Sequence, residues 1–223
     1  MKRLAYLDFE RFPFDFPAVT KPVWSGKVDR WYQLDAMAYG LAQACFQWRQ
    51  MEAERPSFLL LASRGASNDA DRAFAESGAA SPAKFVHTLP SVRSSTVCQV
   101  MDWHGPMLCL QEDPSTLCTA LIEAVKMVSE DVPVVWILST WREGSVFSVV
   151  RLILRKKGGQ LPIFAAKFGS CPPFFVQDDR LHSPGAGIQC IPQDVPLLTW
   201  LENSSQNAAP FTLFQGLKLV RSI

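Results

Sequence analysis

The sequence contains no Gly-x-Ser-x-Gly, no Gly-rich phosphate loop ending in Gly-Lys-Ser/Thr, no Gly-x-Gly-x-x-Gly and no His-Glu-x-x-His. Those absences remove the usual sequence routes to a serine hydrolase, a nucleotide cradle, a dinucleotide site and a zinc protease. Charge is sparse and balanced: 22 basic and 21 acidic residues leave a formal net charge of +1, with no basic block. The electrostatic footprint of a nucleic-acid binder is therefore missing. The longest apolar runs, such as 132–138, fall far short of a membrane span. Met1-Lys2-Arg3 is followed too soon by Asp8, Glu10 and Arg11 to read as a secretory signal, so the expected location is the cytoplasm. Histidine is scarce, at three residues, and the six cysteines (45, 98, 109, 118, 171, 190) are scattered without a Cys-x-x-Cys pair. Such spacing predicts reduced thiols rather than a disulfide framework, and neither a metal nor a cofactor is expected.

What is present is apolar material: hydrophobic residues make up 48% of the 223, enough to bury a sizeable core. One α/β domain over 1–223 is expected, with its core at about 25–168 and a loop-rich C-terminal extension over 169–223. Leu4–Leu7 reads as a strand and runs into an irregular Phe- and Pro-dense segment, 9–24. Those phenylalanines either cap the chain's own core or face a partner. Trp31, Leu34, Met37, Leu41, Cys45 and Trp48 recur at three- and four-residue steps, which predicts a helix over 29–50 capped by Asp29. Phe58–Ala62 is a continuous apolar run, the mark of a strand buried on both faces, and a polar helix follows at about 68–77. Val132–Ser139 is a further buried strand. Val146–Leu154 and Leu161–Phe168 flank a basic, Gly-containing turn and read as a β-hairpin. Residues 169–193 read as loop, 195–202 as a short helix and 211–221 as a terminal strand or helix. Strands alternating with helical patterns predict a largely parallel sheet covered on both faces.

The most informative stretch is 81–128. Its order is a Ser81-Pro82 turn, a short helix over 91–101, a His104-Gly105-Pro106 turn, a short buried strand at Met107–Gln111 and a sharp elbow at Glu112-Asp113-Pro114-Ser115. A helix then carries Leu117, Leu121, Ala124, Val125 and Val128 on one face, with Asp113 as its expected N-cap and Pro114 in its first turn.

That order, with Pro82-Ala83-Lys84-Phe85 leading to Gly105-Pro106 and the strand 107–111, resembles the β-ketoacyl synthase family. The resemblance covers roughly residues 56–140 and implies a thiolase-like half-fold, a five-stranded mixed sheet with helices on both faces. In that family the nucleophilic cysteine sits on the elbow. The matching position here is about Pro114, flanked by Asp113 and Ser115, so no catalytic residue is carried over. Condensation also needs two histidines supplied by a second repeat, for which this chain has no room. His87 and His104 flank the small helix, and His182 stands in an unrelated context. Cys109 lies inside the expected strand and Cys118 one turn into the helix, where thiols are unreactive. Ser115 has no base nominated by the sequence, and Arg64 after the second strand reads as a loop arginine or an anion contact.

The resemblance therefore implies a catalytically silent subunit of the chain-length-factor kind. Such a subunit pairs with a full-length ketosynthase as a heterodimer and shapes acyl chain elongation in fatty acid or polyketide biosynthesis, aryl polyenes included. It meets acyl carrier protein indirectly. The implied interface is the strand Met107, Leu108, Cys109, Leu110 and Gln111, which has no charge or proline to block edge pairing. Two other readings remain open: an acyltransferase or hydrolase with an unrecognised nucleophile, and a non-catalytic protein that binds acyl carrier or a scaffold.

Overall fold

A computed structural model describes residues 2–17, 20–51, 54–63, 68–78, 85–86, 89, 91–111, 114–143, 145–156, 174–178, 193–203, 209–214 and 217–221. The chain order is β1 (Lys2–Phe14), α1 (Ala36–Met51), β2 (Phe58–Ala62), α2 (Asn68–Glu76), α3 (Ser91–Met101), β3 (Met107–Leu110) and α4 (Thr116–Met127). There follow β4 (Val134–Glu143), β5 (Val146–Arg155), β6 (Phe174–Asp178), α5 (Asp194–Glu202), β7 (Phe211–Phe214) and β8 (Leu217–Arg221). All the strands join one sheet in the order β3-β2-β4-β5-β1-β6-β8-β7.

The expected five-stranded mixed sheet is its first part, β3-β2-β4-β5-β1, and three C-terminal strands extend it. A largely parallel sheet is not what forms: β2 is parallel to β3 and to β4, and every other pairing is antiparallel. The expected hairpin of 146–154 with 161–168 is also replaced. The antiparallel partner of β5 is β4, joined through residues 144–145, and 161–168 lies outside the described residues. Trp141-Arg142-Glu143 lie beyond the strand expected to end at Ser139. They continue β4 because Arg142 pairs across from Phe147, with its guanidinium 5.3 Å from that ring.

Successive side chains of a strand point to opposite faces. Here that alternation divides the apolar runs between two cores. Leu59, Leu61, Trp136, Leu138, Val149 and Ile153 face α1 and α3, where they meet Leu41, Cys45, Trp48, Val97 and Val100. Leu60, Ala62, Val135, Ile137, Val150, Leu152 and Leu154 face α4 and α5, against Leu117, Leu121, Leu197 and Leu201. Helices on both faces explain why these strands read as unbroken apolar runs rather than alternating ones.

The N-terminal strand is longer than its sequence suggests, running as far as Phe14 into the segment expected to be irregular. Ala5, Leu7 and Phe9 enter the core beside α4, while Phe12 and Phe14 pack on the α1 side. Among the described residues β6 pairs with β1 only as far as Leu7 and Pro13 has one strand neighbour, β5, a position where proline is tolerated. The Phe14 ring presses on α1 at Gly40, where a Cβ would fall 2.2 Å from ring carbons.

The helix expected over 29–50 begins later, at Ala36. Arg30 adopts a left-handed backbone (φ 55°), a short 3-10 turn covers Trp31–Gln33, and the cap is Asp35, whose Oδ1 accepts from the Ala38 amide at 2.7 Å. Asp29 is exposed and precedes this break. Within 169–193, expected to be loop, Phe174–Asp178 forms β6, and the terminal 211–221 segment forms the β7–β8 hairpin.

On the α1 side, β5 buries two arginines. Arg151 stands directly across from Glu10 on β1 and bonds it through Nε at 3.1 Å and through Nη2. Its guanidinium lies 4.4 Å from the Trp48 ring and 4.5 Å from that of Trp136. Arg155 bonds Asp8 on β1 and, through Nε at 2.6 Å, Glu54.

Candidate functional site

The stretch singled out by sequence places an edge strand beside an elbow. β3 is the last strand of the sheet, parallel to β2, with Leu59 opposite Met107 and Ala62 opposite Leu110. The Ser63 amide donates to the Leu110 carbonyl at 2.9 Å and so closes the ladder at its C-terminal end. Its other flank is unpaired among the described residues. The expectation of a buried strand is corrected here: Leu108 is 36% exposed, Cys109 and Gln111 are exposed, and Met107 and Leu110 are half-buried. Among the described residues one edge of β3 has a neighbour and the other has none, so only part of its apolar surface is covered. Gly105 sets the strand's entry, since a Cβ there would fall 2.4 Å from the Trp103 ring folded over it.

At the other end of β3, Pro114 and Ser115 lead into α4; Glu112 and Asp113 lie outside the described residues. Ser115 is buried and makes no capping hydrogen bond. The free amides of the first turn are met from far along the chain. The Asp194 carboxylate accepts from Leu117 N–H through Oδ2 and from Cys118 N–H through Oδ1, each at 3.0 Å. The Asp194 amide donates back to the Pro114 carbonyl at 3.1 Å, and the Cys118 thiol approaches the Gln193 carbonyl at 3.7 Å. Asp194 is 1% exposed. In sequence it stands just before the helix expected over 195–202, and nothing local points it at residue 117.

The other candidates do not assemble into an acid–base set. His104 is exposed in the turn before β3, with Nε2 3.5 Å from Asp102. His87, His182 and Arg64 lie outside the described residues. Among the described residues no hydrogen bond joins Ser115 to a histidine, and no group of three or more His, Cys, Asp or Glu residues is placed to hold a metal ion. A buried guanidinium that sequence did not single out, Arg93 of α3, closes the end of β2. It donates to Ser63 Oγ at 2.5 Å and reaches Asp35 Oδ2 at 3.4 Å.

The thiols divide by environment. Burial pushes Cys45 up to about 12. Cys118 is raised further, first by burial and then by the Asp194 carboxylate beside it. Cys109 is also raised by burial, offset by a hydrogen bond involving Ser94, yet it is exposed at the strand edge. A raised pKa lowers the thiolate fraction at pH 8, and thiolate is the reactive form. In the native protein a maleimide is therefore expected to label Cys109 well before Cys45 and Cys118, as read by peptide mass spectrometry over time. Labelling of Cys118 at the same rate would mean that the elbow opens freely.

No family model matches the chain, and no curated protein does. Among solved structures, a chain of the complex of a ketosynthase (ApeO) with its chain length factor (ApeC) from Xenorhabdus doucetiae is similar to it, with TM-score 0.58 and 11% sequence identity. The match covers 98% of this chain and 98% of that one. At that identity the likeness is one of fold: a mixed α/β, thiolase-like architecture shared along almost the whole length. Among the described residues no helix is long and apolar enough to cross a membrane.

Proposed function

We propose that this chain is a ketosynthase-like subunit that performs no condensation itself and works as the partner of an active, full-length ketosynthase. The observation that carries the reading is the open edge of β3, four apolar residues at the rim of the sheet with Leu108 36% exposed. An exposed, uncharged strand edge is a liability unless another strand covers it. The shared fold with a chain from a ketosynthase–chain length factor complex supports a strand of that kind of partner as the cover. Residues 1–223 act in this reading as one ketosynthase-like domain in the cytoplasm. The pair extends acyl chains in fatty acid or polyketide biosynthesis, of which aryl polyene synthesis is one form. Acyl carrier protein meets the pair through the active subunit.

Silence in this reading is supported by Pro114 at the elbow, which has neither nucleophile nor ionisable group; among the described residues no histidine bonds Ser115. Incubation with acyl- and malonyl-loaded carrier protein is expected to give no condensation product and no acyl adduct. A stable adduct on Ser115, Cys109 or Cys118 would instead establish the acyltransferase or hydrolase reading.

Pairing is tested separately. Leu108→Lys places a charge on the open edge without touching either core, and is expected to abolish co-purification with a co-expressed full-length ketosynthase while the isolated chain melts as before. A specific pair should bury upwards of about 1,000 Å² in total. Undiminished recovery of the Leu108→Lys chain with its partner would put the interface elsewhere.

A further inference from the structure

We infer that Asp194 is a built-in plug: its carboxylate fills the amide cradle at the start of α4 and closes the elbow to any other anionic or carbonyl group. The first turn of a helix offers unsatisfied N–H groups and the positive end of the helix dipole, and together these attract a negative oxygen. In this chain both oxygens of one carboxylate are already committed there, to the Leu117 and Cys118 amides at 3.0 Å.

Three features make the contact a latch rather than a passing cap. It is reciprocal, because the Asp194 amide returns a bond to the Pro114 carbonyl at 3.1 Å. It is dry, because Asp194 is 1% exposed and Thr116, Leu117 and Cys118 are buried around it. It is also braced, because α5 continues from Asp194 and sinks Leu197 and Leu201 into the same core as Leu117 and Leu121. The plug cannot leave unless α5 leaves with it. A group seeking the elbow amides would have to displace a charge already desolvated in place, with two charge-assisted bonds to replace. The significance given to the elbow rests on the functional reading above; the plug itself does not.

The test is chemical rescue. Asp194→Ala removes the carboxylate and leaves a hole of about its size next to two unpaired amides. The variant is expected to melt several degrees below the parent chain. Sodium formate, which has the carboxylate and little else, should restore about half or more of the lost Tm in a saturable manner, because a ligand that binds only the folded form raises its melting temperature. Sodium chloride at equal ionic strength should restore none, and formate should leave the parent chain unchanged. An undiminished Tm in the variant, or equal rescue by formate and chloride, overturns the plug.

If Asp194→Ala does not fold, Asp194→Asn keeps the shape and one acceptor oxygen. Amide exchange at Leu117 and Cys118 should then accelerate about tenfold or more relative to the parent chain, following the lower local stability. Unchanged exchange at both amides overturns it equally. Loss of the plug leaves the Leu108→Lys co-purification result untouched, so failure of this inference and failure of the subunit reading are separable.

Discussion

Replacing Arg151 by methionine is expected to cost about 3 kcal/mol or more of unfolding free energy, read as a lowered urea midpoint at constant slope. The guanidinium is 1% exposed, directly opposite Glu10 across the β1–β5 pairing and close to the Trp48 and Trp136 rings. Methionine is shorter than arginine but fills the stem of the slot, so only a minor part of the loss comes from the space left beside the two rings. The loss comes from Glu10, whose carboxylate is left without this cation while its side chain is only 19% exposed. Partial access to water keeps the cost at the lower end of the range of about 3–5 kcal/mol for breaking a buried pair. Adding Glu10→Gln to Arg151→Met should recover part of it, because the orphaned charge is then gone. A single variant that loses under about 1 kcal/mol would mean that the pair contributes no more than an exposed one.

An effect of similar size is expected at the other end of the chain. Leu201→Ala should cost about 2–5 kcal/mol, the range for large-to-small changes in a packed core. Leu201 is 0% exposed and shares its core with Leu117, Leu121, Ile137 and Leu152, so the lost methyl groups leave a cavity between α5 and the sheet. Deletion of 169–223 goes further. It removes β6, α5, β7 and β8, strips the cover from the first residues of β1, and leaves the α4 amides without Asp194. The shortened chain is expected to give no cooperative melt by circular dichroism. A sharp, reversible transition in it would establish 169–223 as a dispensable extension.

The parts of the fold that could be read from sequence are those fixed by local periodicity. Phe58–Ala62 and Val134–Ser139 announce themselves because burial on both faces demands continuous apolar residues, and α1 because its stripe faces a single core. The parts that were misread depend on partners far away in sequence. β1 looks irregular at its proline, and what makes that residue acceptable in a strand is that, among the described residues, only β5 lies alongside it. Arg151 sits unremarked inside the run Val146–Leu154, because its partner Glu10 is 141 residues away. At the elbow the sequence offered Asp113 as a neighbouring cap. Asp113 lies outside the described residues, and the Leu117 and Cys118 amides are bonded by Asp194, 77 residues beyond Leu117, through a tertiary contact that no pattern within one segment encodes. The edge strand was legible in place and in apolar character; its burial was not, because the sequence shows that a strand is apolar without showing how many neighbours it has.

The pairing of β1 with β5 also governs the order of assembly. β1 is made well before the strand that holds it: Tyr6 lies opposite Arg155 and Phe14 opposite Phe147. Until residues 146–155 have emerged, Leu7, Phe9, Phe12 and Phe14 lack their β5 partners, and the nascent chain carries an exposed aromatic ribbon over that interval. At about 5–20 residues per second that interval lasts on the order of ten seconds, ample time for collision with other nascent chains. Ladders between such distant segments also close late, because the entropy of the long intervening loop is lost before the contacts form. Recovery of soluble protein should therefore depend more steeply on growth temperature and on holding chaperones than its final stability would suggest.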